Sequence, residues 1–543
     1  MRHAPRVLKF YLRPACVLFA LGFGFGACER IPESSAFSEL SPQPPGRVAW
    51  REWSERDSAR VLNRPLFLYL YSNRSYWCRD MAGRSFEDPE LARAIGQGTW
   101  PIRVDVDRRP DLAERFGLGG WPSTAILTPE GDWMTGSTYL DPEDLRELLR
   151  RVWVYFNNPK RWTDFERERR NLALWAAREA QHFPRAEVSS GLLRAFTDST
   201  STALKRGDVP GPESFLVLLD AEASAARTLA LDRLNTIVSS PLRDSDGTFF
   251  RWQLTPDGVV FDREKTLASN AGWLAILART DTAAAIDLGD ALIGGLYAQR
   301  KGLFVAGFAG FSEASGGAVL LEAGRAAPRD PAVYTSWNAL AVTGLAALYQ
   351  ASSRTAYLEL ARDVMTSIRK RLGHPEGGMR HALDPYGPPV FLLADQALVA
   401  RAALDLYSAG GDDAEFRFAL ELTDVMLERL RDESGALRDR WPEPDAAVIH
   451  AVDRLVPSGN GVAVQVLARL YGLTGHRRYM ETAGEILAVL SNSHLARAAS
   501  AGALCRGMAM YLRLETGQGA PPVPRVRQSD SPQLKKNNNS ATR

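Results

Sequence analysis

The chain has 543 residues, too many for one hydrophobic core, so two or more domains are expected. Its 66 basic and 64 acidic residues leave a formal net charge of +2, which gives no electrostatic case for nucleic acid. Four cysteines, Cys16, Cys28, Cys78 and Cys505, make neither a disulfide framework nor a zinc pattern, and no metal or cofactor is expected.

Arg2, Arg6, Lys9 and Arg13 open the chain, and a short apolar stretch runs from Val17 to Phe25. The following Phe25-Gly26-Ala27-Cys28 resembles a bacterial lipoprotein signal, with Phe25 departing from the usual Leu. The expectation is a signal over 1–27, lipidation of Cys28, and a membrane tether through that lipid in the bacterial cell envelope. A cleaved secretory signal, giving a secreted or periplasmic protein, and an uncleaved anchor are the alternatives. The Ser- and Pro-containing residues 28–47 read as a flexible tether.

Residues 48–155 carry an α/β pattern. Leu66 to Leu70 is a continuous apolar run, suited to a strand buried on both faces. A helix is predicted from Ser75 through Met81, and a second after Asp88 as N-cap with Pro89 in its first turn. Pro101 to Val106 and Ser123 to Leu127 are further strands, and Pro129 to Asp132 turns into a fourth. Asp141 caps a helix that places Leu145, Leu148, Leu149 and Val152 on one face. Strand, helix, strand, hairpin and helix is the thioredoxin order. Within it, Ser75-Tyr76-Trp77-Cys78 looks like a thioredoxin active site whose first cysteine is missing. Dithiol exchange needs a second sulfur to resolve the mixed disulfide, so ordinary oxidoreductase activity is not expected.

Residues 160–517 turn to Ala/Leu/Arg-rich helical periodicity with an internal repeat. Tyr349, Tyr407 and Tyr471 each end a helix before a turn, and Tyr357, Phe416 and Tyr479 each sit in the helix that follows. The spacing suits six helical hairpins, closed into an (α/α)6 toroid or left as an open solenoid. Residues 518–543 read as a disordered tail.

Several motifs recur in order: Tyr76-Trp77-Cys78, Ser85-Phe86-Glu87-Asp88, Val104-Asp105-Val106-Asp107, Gly119-Gly120-Trp121-Pro122, Glu264-Lys265, Asn270-Ala271, Thr335-Ser336-Trp337-Asn338 and Pro457-Ser458-Gly459-Asn460. Together they resemble the spermatogenesis-associated protein 20 family across roughly residues 48–515. The resemblance implies an α/β thioredoxin-like domain followed by an all-α (α/α)6 toroid of the six-hairpin glycosidase type. The departures imply a diverged member. Ser75 and Tyr76 replace the first two residues of the family's Cys-His-Trp-Cys, and Ala394 replaces the Glu of its Leu-Glu-Asp.

Four sets of site residues follow. Cys78 is either an inert buried sulfur or a monothiol near a helix N-terminus, where thiol pKa falls. Ser75, Tyr76, Trp77, Trp121 and Pro122 would form a binding surface, with Pro122 a candidate cis proline. Glu264 and Asp395 are candidate glycosidase carboxyls, or else salt-bridge partners. Trp337, Asn338 and Asn460 would line a central pocket, or else pack the core. The leading expectation is binding, chaperone-like or monothiol redox work on an exported protein partner. The competing one is a carbohydrate-active enzyme, hydrolase or epimerase, that uses the toroid cavity.

Overall fold

The computed structural model describes residues 47–163, 167, 185–253, 261–262, 264–309, 329–383, 390–442, 449, 451–494 and 499–517. The expected signal, Cys28, most of the tether and the tail lie outside the described residues.

The first unit begins with α1 (Asp57–Val61), then β1 (Leu66–Tyr71), α2 (Tyr76–Arg84), α3 (Pro89–Gly98), β2 (Trp100–Asp105), α4 (Pro110–Phe116), β3 (Ser123–Leu127), β4 (Trp133–Ser137) and α5 (Pro142–Phe156). The sheet order is β2-β1-β3-β4; β1 and β2 are parallel, and β3 and β4 antiparallel to their neighbours. The apolar run of β1 serves both faces. Leu66, Leu68 and Leu70 pack with Ile102, Val104 and Phe116 on one side, while Phe67 and Tyr69 pack with Met81, Ile95 and Leu145 on the other. Ser75 caps α2, Asp88 caps α3 and Asp141 caps α5, each through a side-chain oxygen that accepts backbone N–H groups. The fold is thioredoxin-like. The pattern reading did not anticipate α1 and α4, which are short and lack a full apolar stripe.

The second unit is helical: α6 (Ser190–Lys205), α7 (Pro212–Leu219), α8 (Ser224–Val238), α9 (Leu267–Thr280), α10 (Thr282–Leu296), α11 (Thr335–Ser352), α12 (Thr355–Leu372), α13 (Leu393–Gly410), α14 (Asp413–Arg429), α15 (Gly459–Thr474), α16 (Arg477–His494) and α17 (Gly502–Glu515). The helices α7, α9, α11, α13, α15 and α17 each pack on the next, and α17 packs back on α7. The ring is therefore closed, and the architecture is an (α/α)6 toroid. The other six helices form the outer layer. The last outer position is filled by α6 from the start of the unit, which packs beside α17 from its end. The tyrosines of the repeat sit where an inner helix stops. Ser353, Gly411 and Gly475 adopt the left-handed conformation and donate their N–H groups to the carbonyls of Tyr349, Tyr407 and Tyr471.

A second repeat holds the hairpins in register. After three of the outer helices the chain makes a tight turn through a glycine with positive φ, at Gly247, Gly377 and Gly435. The next inner helix grips the strand-like residue that follows the turn with one amide side chain. Asn270 accepts from the Phe249 N–H and donates to its carbonyl; Gln396 does the same to Met379, and Asn460 to Leu437. Asn338 grips Phe304 identically. Each amide thus replaces two ladder hydrogen bonds of a buried backbone segment.

Candidate functional site

The two units meet at the N-terminal ends of the inner helices. Arg74, on the loop between β1 and α2, is 1% exposed and reaches out of its own domain. Its Nε donates to Glu264 Oε1 at 2.6 Å, its Nη1 to Asp330 Oδ2 at 2.7 Å, and its Nη2 pairs with Asp107 Oδ1 at 2.8 Å. The guanidinium carbon lies 5.0 Å from the Trp337 ring centre. The other oxygen of Glu264 takes Arg251 Nη1 at 2.7 Å. The two guanidinium groups outweigh burial and hold the Glu264 carboxyl below its usual range. A general acid must carry a proton, and this carboxylate is held without one.

Asp395, on the first turn of α13, is also fully partnered. Oδ1 accepts from the Ser336 N–H at 2.9 Å, and Oδ2 faces His381 Nδ1 at 2.8 Å. His381 Nε2 sits 2.8 Å from the carbonyl oxygen of Asp107 in the thioredoxin-like domain. Both ring nitrogens therefore face acceptors, an arrangement that favours the imidazolium. Burial works against it, but Asp395 prevails and raises the His381 pKa. Arg440–Asp111 at 2.9 Å and Arg454–Glu114 at 2.8 Å complete the joint.

The thiol site is closed as well. Cys78 is 3% exposed, and burial pushes its pKa up to about 11, against the pull of hydrogen bonds from Ser75, the Ser72 backbone and Tyr69. Ser75 Oγ donates to the Trp121 carbonyl at 3.3 Å, so the hydroxyl takes up a partner on the loop that the missing sulfur would face. The Trp121–Pro122 bond is cis, as the sequence suggested; Trp441–Pro442 is a second cis bond that it did not suggest. Tyr76 and Trp77 form an edge-to-face pair with ring centres 5.3 Å apart, and Trp77 meets Tyr139 at 5.4 Å. Neither faces the cavity described next, whereas Trp121 does.

A cavity of about 1690 Å³ follows the toroid axis. Residues from all six inner helices line it, and Trp121, Gly119 and the N-terminal half of α4 contribute one wall at the joint. Asp395, Trp337 and Asn460 reach this lining, and Glu264 does not. The two proposed carboxyls thus do not face a sugar together. Asn338 is absent from the lining, and both its amide atoms are spent on Phe304; the Asn460 amide is likewise spent on Leu437. Both hold hairpins together; Asn338 packs the core and does not line the pocket, whereas Asn460 also lies at the cavity wall.

The wall also carries residues that the sequence did not single out. Glu213 is bound by Arg401 Nη1 at 2.5 Å and Arg506 Nη1 at 3.2 Å, which depress its pKa to about 2 despite burial. Asp453 accepts the Ser458 and Ala503 N–H groups at 2.9 Å each; burial nevertheless raises its pKa to about 7. Trp273 adds a third aromatic ring. Only the ring closure brings these positions together, and no local motif marks them. Among the described residues, no cluster of His, Cys, Asp or Glu could hold a metal ion, and no helix is long and apolar enough to cross a membrane.

Residues 32–172 match the family Thioredox_DsbH, described as a protein of unknown function, DUF255. Over 112 residues the chain is 32% identical to an uncharacterised protein of Caenorhabditis elegans, covering 19% of this chain and 15% of that one. Over 107 residues it is 30% identical to human spermatogenesis-associated protein 20, covering 18% and 14%. The match thus spans about a seventh of these relatives' length. Among solved structures, the chain is similar to a sugar epimerase from a ruminal bacterium (16% identity, 47% of this chain and 70% of that one, TM-score 0.35). It is also similar to a D-mannose isomerase (14%, 55% and 73%, TM-score 0.39). A third is cellobiose 2-epimerase of Bacillus thermoamylovorans (10%, 56% and 76%, TM-score 0.39). The family match is thus confined to residues 32–172, and the described residues within that range fold as the thioredoxin-like domain.

Proposed function

We propose that this chain is an exported, lipid-anchored protein that binds carbohydrate in the axial cavity of its toroid. On this reading the thioredoxin-like domain shapes one end of the cavity and does no thiol chemistry. The observation that carries the proposal is the cavity wall, which Trp121, Trp273 and Trp337 line together with Arg251, Arg401, Gln465 and Asp453. Sugar rings present apolar C–H faces and a rim of hydroxyls, so a wall of flat aromatic rings and charged hydrogen-bonding groups complements both. The closed thiol supports the second half of the reading, since a protonated sulfur with 3% exposure is a poor nucleophile.

The test is a titration of the purified full-length protein with neutral oligosaccharides, followed by tryptophan fluorescence. A saturable change that Trp121→Ala reduces supports the proposal. No response to any sugar, together with a mixed disulfide trapped at Cys78, would return the function to the thiol. The lipid anchor is tested separately by metabolic labelling with a fatty acid, which Cys28→Ala should abolish.

One observation favours turnover over binding alone. Asp453 stands on the cavity wall with a pKa of about 7, the range a proton-transfer group needs. If a bound sugar is converted, Asp453→Asn should lower the conversion rate by a much larger factor than it lowers affinity.

A further inference from the structure

We infer that the ligand is a linear oligosaccharide lying along the ring axis, and that the half of the cavity remote from the thioredoxin-like domain is a separate subsite. The inference rests on the carbohydrate reading above.

Its first support is the length of the cavity. The lining on α13 runs from Asp395 in the first turn to Ser408 near the last, which at 1.5 Å per residue is about 20 Å. The volume, about 1690 Å³, exceeds the roughly 300–1,000 Å³ usual for a single small molecule. Along this length the inner helices bring small residues to the lining: Ala275 on α9, Ala347 and Ala351 on α11, and Gly472 on α15. A stripe of Ala and Gly leaves room that larger side chains would fill. At the far end the lining residues Gln350, Ala351 and Gly472 are exposed, so the cavity reaches solvent there.

The second support is a polar cluster deep in that half. Asp405 accepts from Thr343 Oγ1 at 2.8 Å and from Arg469 Nη1 at 2.6 Å; Arg469 Nη2 donates to Ser408 at 3.1 Å. All four residues line the cavity. The side chains of Asp405 and Arg469 are 22% and 23% exposed, against 1% for Glu264 and 0% for Asp395. They therefore keep open hydrogen-bonding edges, which sugar hydroxyls can take over from water. The cluster is two to three helical turns below Asp395, so one sugar ring cannot reach both ends.

The experiment is calorimetric titration of the full-length protein with cello-, malto- and manno-oligosaccharides of one to six units. In the series that binds, affinity should rise at least tenfold between one and four units. Thr343→Val and Asp405→Asn should cut affinity for the tetramer about tenfold and leave that for the monomer unchanged. Ala351→Trp, at an exposed position, should slow association of the long chains. Equal affinity at every length, or loss of monomer and tetramer binding in parallel, would overturn the subsite while leaving the carbohydrate reading intact. No binding at any length overturns both.

Discussion

The joint between the domains and the far half of the cavity contain the same kinds of side chain in opposite conditions. At the joint, Glu264 and Asp395 are sealed from water, and each of their oxygens has a partner. About three turns along α13 from Asp395, Asp405 pairs with Arg469 in a similar way, with about a fifth of each side chain exposed. Burying charges is costly unless partners neutralise them, so the sealed set has been recruited to hold two domains together. The wet set links α11, α13 and α15 within the toroid instead, and part of each charged side chain stays exposed. Carboxylates that resemble catalytic ones by their place in a motif can thus be structural, and plain helix-interior residues can line the site.

The sharpest way to break this comparison is Arg74→Ala. It would leave Glu264, Asp330 and Asp107 buried with less positive charge to balance them, and loss of one partner from a buried pair typically costs about 3–5 kcal/mol. Denaturant unfolding should show a loss of that size. Arg74→Lys should restore little, because an ammonium cannot fork towards three carboxylates. By contrast, Asp405→Asn should change stability by less than about 1 kcal/mol, as expected of a partly exposed pair. If the two variants cost the same, the division into sealed and wet sets is wrong.

The amide grip gives an intermediate effect. Asn338→Ala removes two hydrogen bonds to Phe304 and leaves a buried N–H and carbonyl without partners, at about 1–3 kcal/mol for each unsatisfied group. Asn338→Asp would bury a carboxylate against the carbonyls of Phe304 and Tyr334 and should cost at least as much as Ala in a thermal melt.

A smaller, pH-dependent effect separates the regions again. Asp105 and Asp453 have pKa values raised by burial from 3.8 to about 7. The folded state therefore holds more protons than the unfolded one across this range, and stability should fall as pH rises from about 4 to 7. His381 acts in the same sense. Its contribution is complete below 6.5 and is lost as pH rises through its raised folded value. Unfolding measured from pH 5 to 9 should thus show greatest stability on the acidic side. Asp453→Asn should flatten the lower part of that slope, and His381→Gln the upper part.

Much of the fold was legible in the sequence, and less of the site. The two-faced run of β1, the caps at Ser75, Asp88 and Asp141, and the tyrosines at inner-helix ends are local signals, readable within a few residues. The ring closure and the partners of Glu264 are not local. Arg74 lies 190 residues from Glu264, and nothing around Ser72-Asn73-Arg74 marks it as the bolt between domains. Asn338 and Asn460 were visible as polar residues in apolar helices. That pattern signals a buried polar group with a fixed partner as readily as a ligand contact, and only the turn of the preceding hairpin decides between them. The cavity wall is set by which stripe of each inner helix faces the axis, and these helices are apolar on nearly every side, so periodicity does not reveal the stripe.

The smallest expected effect concerns the residue that first suggested chemistry. Hydrogen bonds from Ser75, the Ser72 backbone and Tyr69 pull the Cys78 pKa down, yet burial outweighs them and leaves the value at about 11. At pH 7 almost all of the sulfur is then protonated, and at 3% exposure it is shielded from reagents. Iodoacetamide should leave Cys78 unmodified in the folded protein over hours and label it rapidly once the chain is unfolded. Cys78→Ala should leave sugar binding unchanged. Rapid labelling of the folded protein near neutral pH would show that the site opens on its own, and would make the thioredoxin-like domain, rather than the toroid, the place to look for chemistry.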